Sequence, residues 1–206
     1  MNPAGTDINA RIARRVHELR YAQGLSLDAL AQRSGVSRSN ISLIERGQSS
    51  PTATVLDKLA TGLGVSVASL FEPDTAASMA PSPLARVADQ PLWTDPGSGY
   101  LRRNVSPPGA QSPIQLVDVV FSPGQRVAFD TAARTPEIHQ QVWMIDGTMD
   151  VTVGGTPWRL QAGDCLAMRL DQPIVYQNPS RQPARYLVAL VSLPFSSPLT
   201  PQRNSP

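Results

Sequence analysis

The chain has 206 residues, 41% of them apolar, a formal net charge of +2 and one cysteine, Cys165. That apolar content excludes wholesale disorder, and a lone cysteine excludes an intramolecular disulfide or a cysteine-rich zinc site. No apolar run is long enough to span a membrane as a helix. The opening "MNPAGTDINARIARR" lacks the apolar segment of a secretory signal, so a cytoplasmic protein is expected.

Residues 1–71 carry eight basic and five acidic side chains, and the remainder ten and eleven. A polyanionic partner is therefore sought in the first part. The apolar stripe Ile8, Ile12, Val16, Leu19 predicts a helix from about Asn9 to Gln23, ended by Gly24. Ser26 then caps a second helix, with Asp28 in its first turn and Leu27, Leu30 and Ala31 facing inward. Gly35 permits a sharp turn. Ser37 caps a third helix whose Ile41 and Ile44 face the first two, and Gly47 ends it. Thr52 starts a fourth helix carrying Leu56, Leu59 and Leu63, and a short fifth covers about 66–71.

Helices two and three, joined through Gly35, have the pattern of a helix-turn-helix. The spacing alone is equally compatible with a plain helical bundle whose polar face is only solvated. The residues resolve this by resemblance. Across residues 9–71, and above all in "SGVSRSNISLIERG" (34–47), the chain resembles the phage-repressor-type (XRE, or Cro/CI-like) helix-turn-helix domain.

That resemblance implies binding to double-stranded DNA, with the start of the third helix in the major groove. Arg38, Ser39, Asn40 and Leu43 are then expected at base edges: Arg38 forking onto guanine, Asn40 onto adenine or a phosphate, Leu43 against a thymine methyl. Ser26, Ser37, Arg46, Gln48 and Thr52 are expected at phosphates. It also implies an ion pair between Arg20 and Glu45 that orients the third helix.

The composition changes near residue 72. "PDTAASMAPSP" (73–83) reads as a linker, dividing a domain over 1–72 from a second over 84–195. Beyond it, alternating runs such as "IQLVDVVF" (114–121), "QVWMI" (141–145), "MDVTV" (149–153) and "YLVALVSL" (186–193) predict strands. Turn signals separate them, among them "DG" at 146–147, "GG" at 154–155 and "AGD" at 162–164. The tail, 196–206, reads as disordered.

Residues 114–193 resemble a cupin, a double-sheet jelly-roll barrel, through "HQQVWMIDGTMDVTVGG" (139–155), "WRLQAGDCLAM" (158–168) and "QPIVYQNPS" (172–180). Together the halves resemble the XRE–cupin family of transcriptional regulators, a multidomain α + β architecture of five helices followed by an all-β barrel. Cupin enzymes hold a metal through histidines and a glutamate. Counting back from Gly147 and Asn178, those positions fall near Arg134 and Pro136, at Gln140 and at Ile174. None is a good metal ligand, so no metal, no cofactor and no catalytic residue is expected.

Alternation puts Gln140, Val142 and Met144 on one face, with Leu166 and Met168, and Ile174 and Tyr176, sharing faces of their own. A ligand pocket is expected from Gln140, Met144, Met168, Ile174 and Tyr176, with Arg126 or Arg134 at the mouth to pair with a carboxylate. The same residues can equally fill a core. Trp143 has the opposite parity and is assigned to sheet packing or a dimer interface, and Cys165 is assigned a buried site. The function expected is that of a non-enzymatic, homodimeric DNA-binding regulator whose barrel senses a small molecule. The alternatives are a cupin enzyme with a DNA-binding module, and an antitoxin-like autorepressor whose barrel is purely structural.

Overall fold

The computed structural model of the chain describes residues 8–72, 82–109, 112–130 and 137–193. Most of the linker read over 73–83, the tail 196–206, Arg134 and Pro136 lie outside the described residues.

Four α-helices come first: α1 (Ile8–Ala22), α2 (Leu27–Ser34), α3 (Arg38–Glu45) and α4 (Ala53–Gly62). The fifth helical segment, Val67–Phe71, is a 3-10 helix rather than an α-helix. Side-chain caps start three of the α-helices. The Ser26, Ser37 and Thr52 hydroxyls accept hydrogen bonds from the amides of Ala29, Asn40 and Val55 respectively, satisfying N–H groups that have no partner within the helix. Gly35 closes α2 at φ +68°, donating its N–H to the Ala31 carbonyl, a conformation that costs a side chain dearly and glycine little. Ile12, Val16, Leu30, Ile41, Ile44, Leu56 and Leu59 are almost fully buried, so each helix turns its apolar stripe to one centre.

After a short 3-10 turn at Val87–Asp89, the strands among the described residues form two antiparallel sheets. The strands are β1 (Leu92–Thr94), β2 (Leu101–Asn104), β3 (Ile114–Phe121), β4 (Arg126–Phe129), β5 (Glu137–Asp146), β6 (Thr148–Val153), β7 (Thr156–Gln161), β8 (Cys165–Arg169), β9 (Ile174–Gln177) and β10 (Ala184–Leu193). One sheet has the order β1-β2-β3-β10-β5-β8 and the other β4-β9-β6-β7. The chain crosses from the first sheet to the second between β5 and β6, at Gly147. Its φ is +81°, and a Cβ there would meet the Ala184 Cα at 2.9 Å, so the corner requires glycine twice over.

Along β5, burial alternates strictly: Ile138, Gln140, Val142 and Met144 face in, and His139, Gln141 and Trp143 face out. The first two strands, β1 and β2, lie in the expected β region but precede "IQLVDVVF", the first run quoted for it. Cys165 corrects another expectation. It is exposed, because the alternation that turns Leu166 and Met168 inward turns Cys165 outward.

The helical and β halves share one continuous core. The join includes residues 93–102 against α4 and the 3-10 helix, and β4 against α4. Trp93 is buried and meets Phe71 edge-on at 5.8 Å and Tyr100 edge-on at 5.9 Å. The buried Asp95 carboxylate accepts a hydrogen bond from the Ala53 amide at 2.9 Å, adding an acid from the β half to the N-terminus of α4, where the helix dipole favours it. Thr54 donates to the Ala128 carbonyl at 3.0 Å, and Ser66 to Gln115 Oε1 at 3.0 Å.

Candidate functional site

Two places collect the residues singled out by sequence: the outer edge of α3 and the interior of the β half. The position of α3 is fixed from beneath by Ile41 and Ile44 and from its end by Glu45. Arg20 grips Glu45 side-on, Nε to Oε1 at 2.6 Å and Nη2 to Oε2 at 2.8 Å, while its Nη1 donates to the Leu25 carbonyl at 2.8 Å. Both side chains are mostly buried, and the Glu45 hydrogen bond raises the Arg20 guanidinium above its ordinary pKa. Arg20 is thus committed to structure. Removing it leaves a carboxylate without its partner, so Arg20→Ala should cost about 2 kcal/mol of stability. Urea unfolding checks this. The relative affinities for different DNA sequences should change far less than the midpoint does.

Above that anchor, Arg38, Ser39 and Leu43 are exposed and Asn40 is half-buried. Arg38 Nε lies 3.2 Å from Asp28 Oδ1, with both groups largely in solvent, so the pair holds the guanidinium only weakly. A phosphate or a guanine edge can displace Asp28 at little cost. Ser26 and Ser37 use their oxygens as helix caps, which leaves each O–H available as a donor. For Ser37 a neighbour competes, the Ser39 hydroxyl at 3.2 Å. Arg46 and Gln48 follow α3 and are exposed. Thr52 caps α4 with its oxygen in the same way, which leaves its O–H as a donor, and its methyl sits 3.3 Å from where a side chain on Gly97 would begin, so it also touches the β half.

The interior of the β half contains a cavity of about 90 Å³. Of the residues expected to line it, Gln140, Ile174 and Tyr176 do. Met144 and Met168 face inward but are packed in the core, and they are not part of the cavity wall. Arg126 is exposed and lies off the cavity. The wall also includes Tyr100, Arg102 and Tyr186, together with Ala53, Leu56 and Asp57 of α4. The cavity therefore lies where the helical half closes over the two sheets, a long-range meeting that alternation within single strands does not reveal.

The two polar handles expected there are engaged with each other: Gln140 Nε2 donates to the Tyr176 hydroxyl at 2.5 Å. Ile174 is packed in the core, and His139 points outward, 3.0 Å from Glu137. These residues do not fit a cupin-type metal: an amide already hydrogen-bonded, an isoleucine and an outward histidine supply no converging donor set.

Tyr100, Tyr176 and Tyr186 are buried. Burial pushes the Tyr100 hydroxyl up to about 12, and Tyr176 and Tyr186 upward as well. With unfolded tyrosines titrating near 10, the folded state holds these protons longer. Their stabilising contribution is complete below pH 10 and is lost as pH rises from 10 to about 12 and beyond. Stability should fall there by up to about 1.4 kcal/mol per pH unit per tyrosine. Urea midpoints from pH 8 to 11, compared between wild type and Tyr100→Phe, check the slope.

The chain is similar to known proteins both in its helical part and along most of its length. Residues 16–70 match the helix-turn-helix family model HTH_3. The chain is 27% identical over 172 residues to the HTH-type transcriptional regulator SutR of Escherichia coli, covering 82% of this chain and 88% of that protein. It is 27% identical over 178 residues to the HTH-type transcriptional regulator PuuR of Escherichia coli, covering 85% and 92%. A crystal structure of an HTH_3 family transcriptional regulator from Vibrio cholerae superposes with a TM-score of 0.72 at 26% identity, over 90% of this chain and 97% of that one.

Proposed function

We propose, from the premise that residues 16–70 form an XRE-type helix-turn-helix domain, that the chain is a sequence-specific DNA-binding transcriptional regulator. The observation that carries this reading is the division of α3. Its inner side is buried and its end is clamped by Arg20–Glu45, while Arg38, Ser39 and Leu43 are exposed beside Asn40. An anchored helix with a short exposed polar edge at its N-terminal end is what base readout in a major groove requires.

The relatives' names agree with it, since both are transcriptional regulators. We read the β half as a cupin that pairs two copies and receives a small molecule without metal. Pairing is favoured by the exposed outward aromatics Trp143 and Trp158, and by the geometry of DNA, on which two readers span successive major-groove faces about 34 Å apart. Reception is favoured by a cavity whose wall is shared with α4. Occupancy can then alter how the helical half is held. The reading makes the protein a cytoplasmic non-enzyme, because Gln140 and Ile174 stand at the family's metal positions.

Selection of duplexes from a randomised pool by the purified chain, followed by mobility shifts at rising salt, tests the DNA-binding part. A two-fold symmetric consensus and a steep salt dependence are expected. A pool that stays random after selection at low salt would sink it. Dimer mass in native mass spectrometry tests the pairing.

A further inference from the structure

Arginine–carboxylate pairing in this molecule has a repeated form. Arg20 with Glu45, Arg159 with Asp150 and Arg185 with Asp118 each use the same edge of the guanidinium, Nε and Nη2, against both carboxylate oxygens. Arg102, on β2, does not. Its Nε and Nη2 are buried and neither has a hydrogen-bond partner. Its guanidinium lies 5.4 Å from the centre of the Phe71 ring, and the residue forms part of the cavity wall. Arg102 is half-buried as a residue, but leaving two guanidinium nitrogens buried without an acceptor is expensive, and arginine does not shed its charge to escape. Burial does lower its pKa, which is the same penalty in another form.

We propose that the cavity between α4 and the barrel is a binding site for a small monocarboxylate with a short apolar tail, held by the Nε–Nη2 edge of Arg102. The inference rests on the reading of the β half as a small-molecule receptacle and names the ligand's chemistry. The size follows from the volume: about 90 Å³ is roughly three waters' share of the liquid. The tail is matched by apolar lining residues, among them Val119, Phe121, Ile174 and Val188. A single negative charge is favoured over two, because the Asp57 carboxyl also lines the cavity. The Gln140 amide and Tyr176 hydroxyl are already paired and leave Arg102 as the principal anchor.

No water-sized space adjoins Nε and Nη2, so capture requires Arg102 to swing within the wall. That swing breaks no hydrogen bond at those atoms. It does lift the guanidinium from Phe71, a residue of the helical half, and so links occupancy to the join.

The test uses the full chain. Calorimetric titration and thermal unfolding are run with sodium propionate, 1-propanol and propylammonium chloride at constant ionic strength. Propionate is expected to bind at least tenfold more tightly than propanol and to raise the unfolding midpoint. Arg102→Met should abolish that preference and Arg102→Lys retain part of it, with circular dichroism verifying that both fold. The wild-type preference stands as a result even if neither variant folds. Propionate binding no better than propanol, or undiminished in folded Arg102→Met, overturns the proposal. If propanol or propylammonium binds and propionate does not, the anion assignment fails while the receptacle reading stands. If none of the three binds, both fail, and duplex selection still decides the DNA-binding function independently.

Discussion

Trp93→Ala should lower the unfolding midpoint by roughly 10 °C and separate one transition into two. Trp93 is buried between Phe71 of the helical half and Tyr100 of the β half, so truncation removes the largest side chain at the join. Losses for large aromatic side chains run about 3–5 kcal/mol, and for a chain of this length each kcal/mol moves the midpoint by about 2–4 °C. The split is the sharper part of the expectation. The halves share one core, joined by this ring, the Asp95 cap on α4 and the Thr54–Ala128 and Ser66–Gln115 hydrogen bonds, so removing the ring weakens the coupling between them. Scanning calorimetry reads both effects. A single transition shifted by a degree or two would mean that the halves are joined elsewhere.

The double variant Arg38→Ala, Asn40→Ala should lose roughly 100-fold or more in affinity for the selected duplex while melting as the wild type does. Each good bidentate contact is worth about 1–3 kcal/mol of discrimination, and the two sit in the first turn of α3. Stability is spared because the Arg38–Asp28 pair is a solvent-exposed one and the buried side of α3, Ile41 and Ile44, is untouched. Mobility shifts against the selected and a scrambled duplex separate the contributions. A loss shared equally by both duplexes would assign these residues to phosphates. Arg46→Ala and Gln48→Ala should show that uniform, salt-linked pattern.

Local chemistry is what the sequence states openly. Ser26, Ser37 and Thr52 mark three helix starts, Gly35 marks a stop, and "IQLVDVVF" marks β3 residue for residue, because caps, turns and alternation involve neighbours in the chain. Parity is equally legible for Trp143 and for Cys165. What sequence could not show was the join. β1 and β2 have three and four residues, too short for a periodic signal, and "LRRN" has no apolar alternation at all. Trp93, Asp95 and Arg102 acquire meaning only from Phe71 and Ala53, which lie more than twenty positions away. The pocket reading failed in part for a related reason. An inward-facing residue such as Met144 fills the core, and whether inward space stays open depends on what α4 brings to the barrel.

The three tryptophans of the chain sit in opposite surroundings, Trp93 buried and both Trp143 and Trp158 about half exposed. Optically they form two populations. In a single copy Trp93 should emit towards the blue and be shielded from dissolved iodide, while the other two should emit towards the red and be quenched by it until pairing covers them. Replacing both exposed indoles by phenylalanine leaves a single emitter between the halves. Its colour then reports directly on whether the two halves are closed against each other, without any added dye.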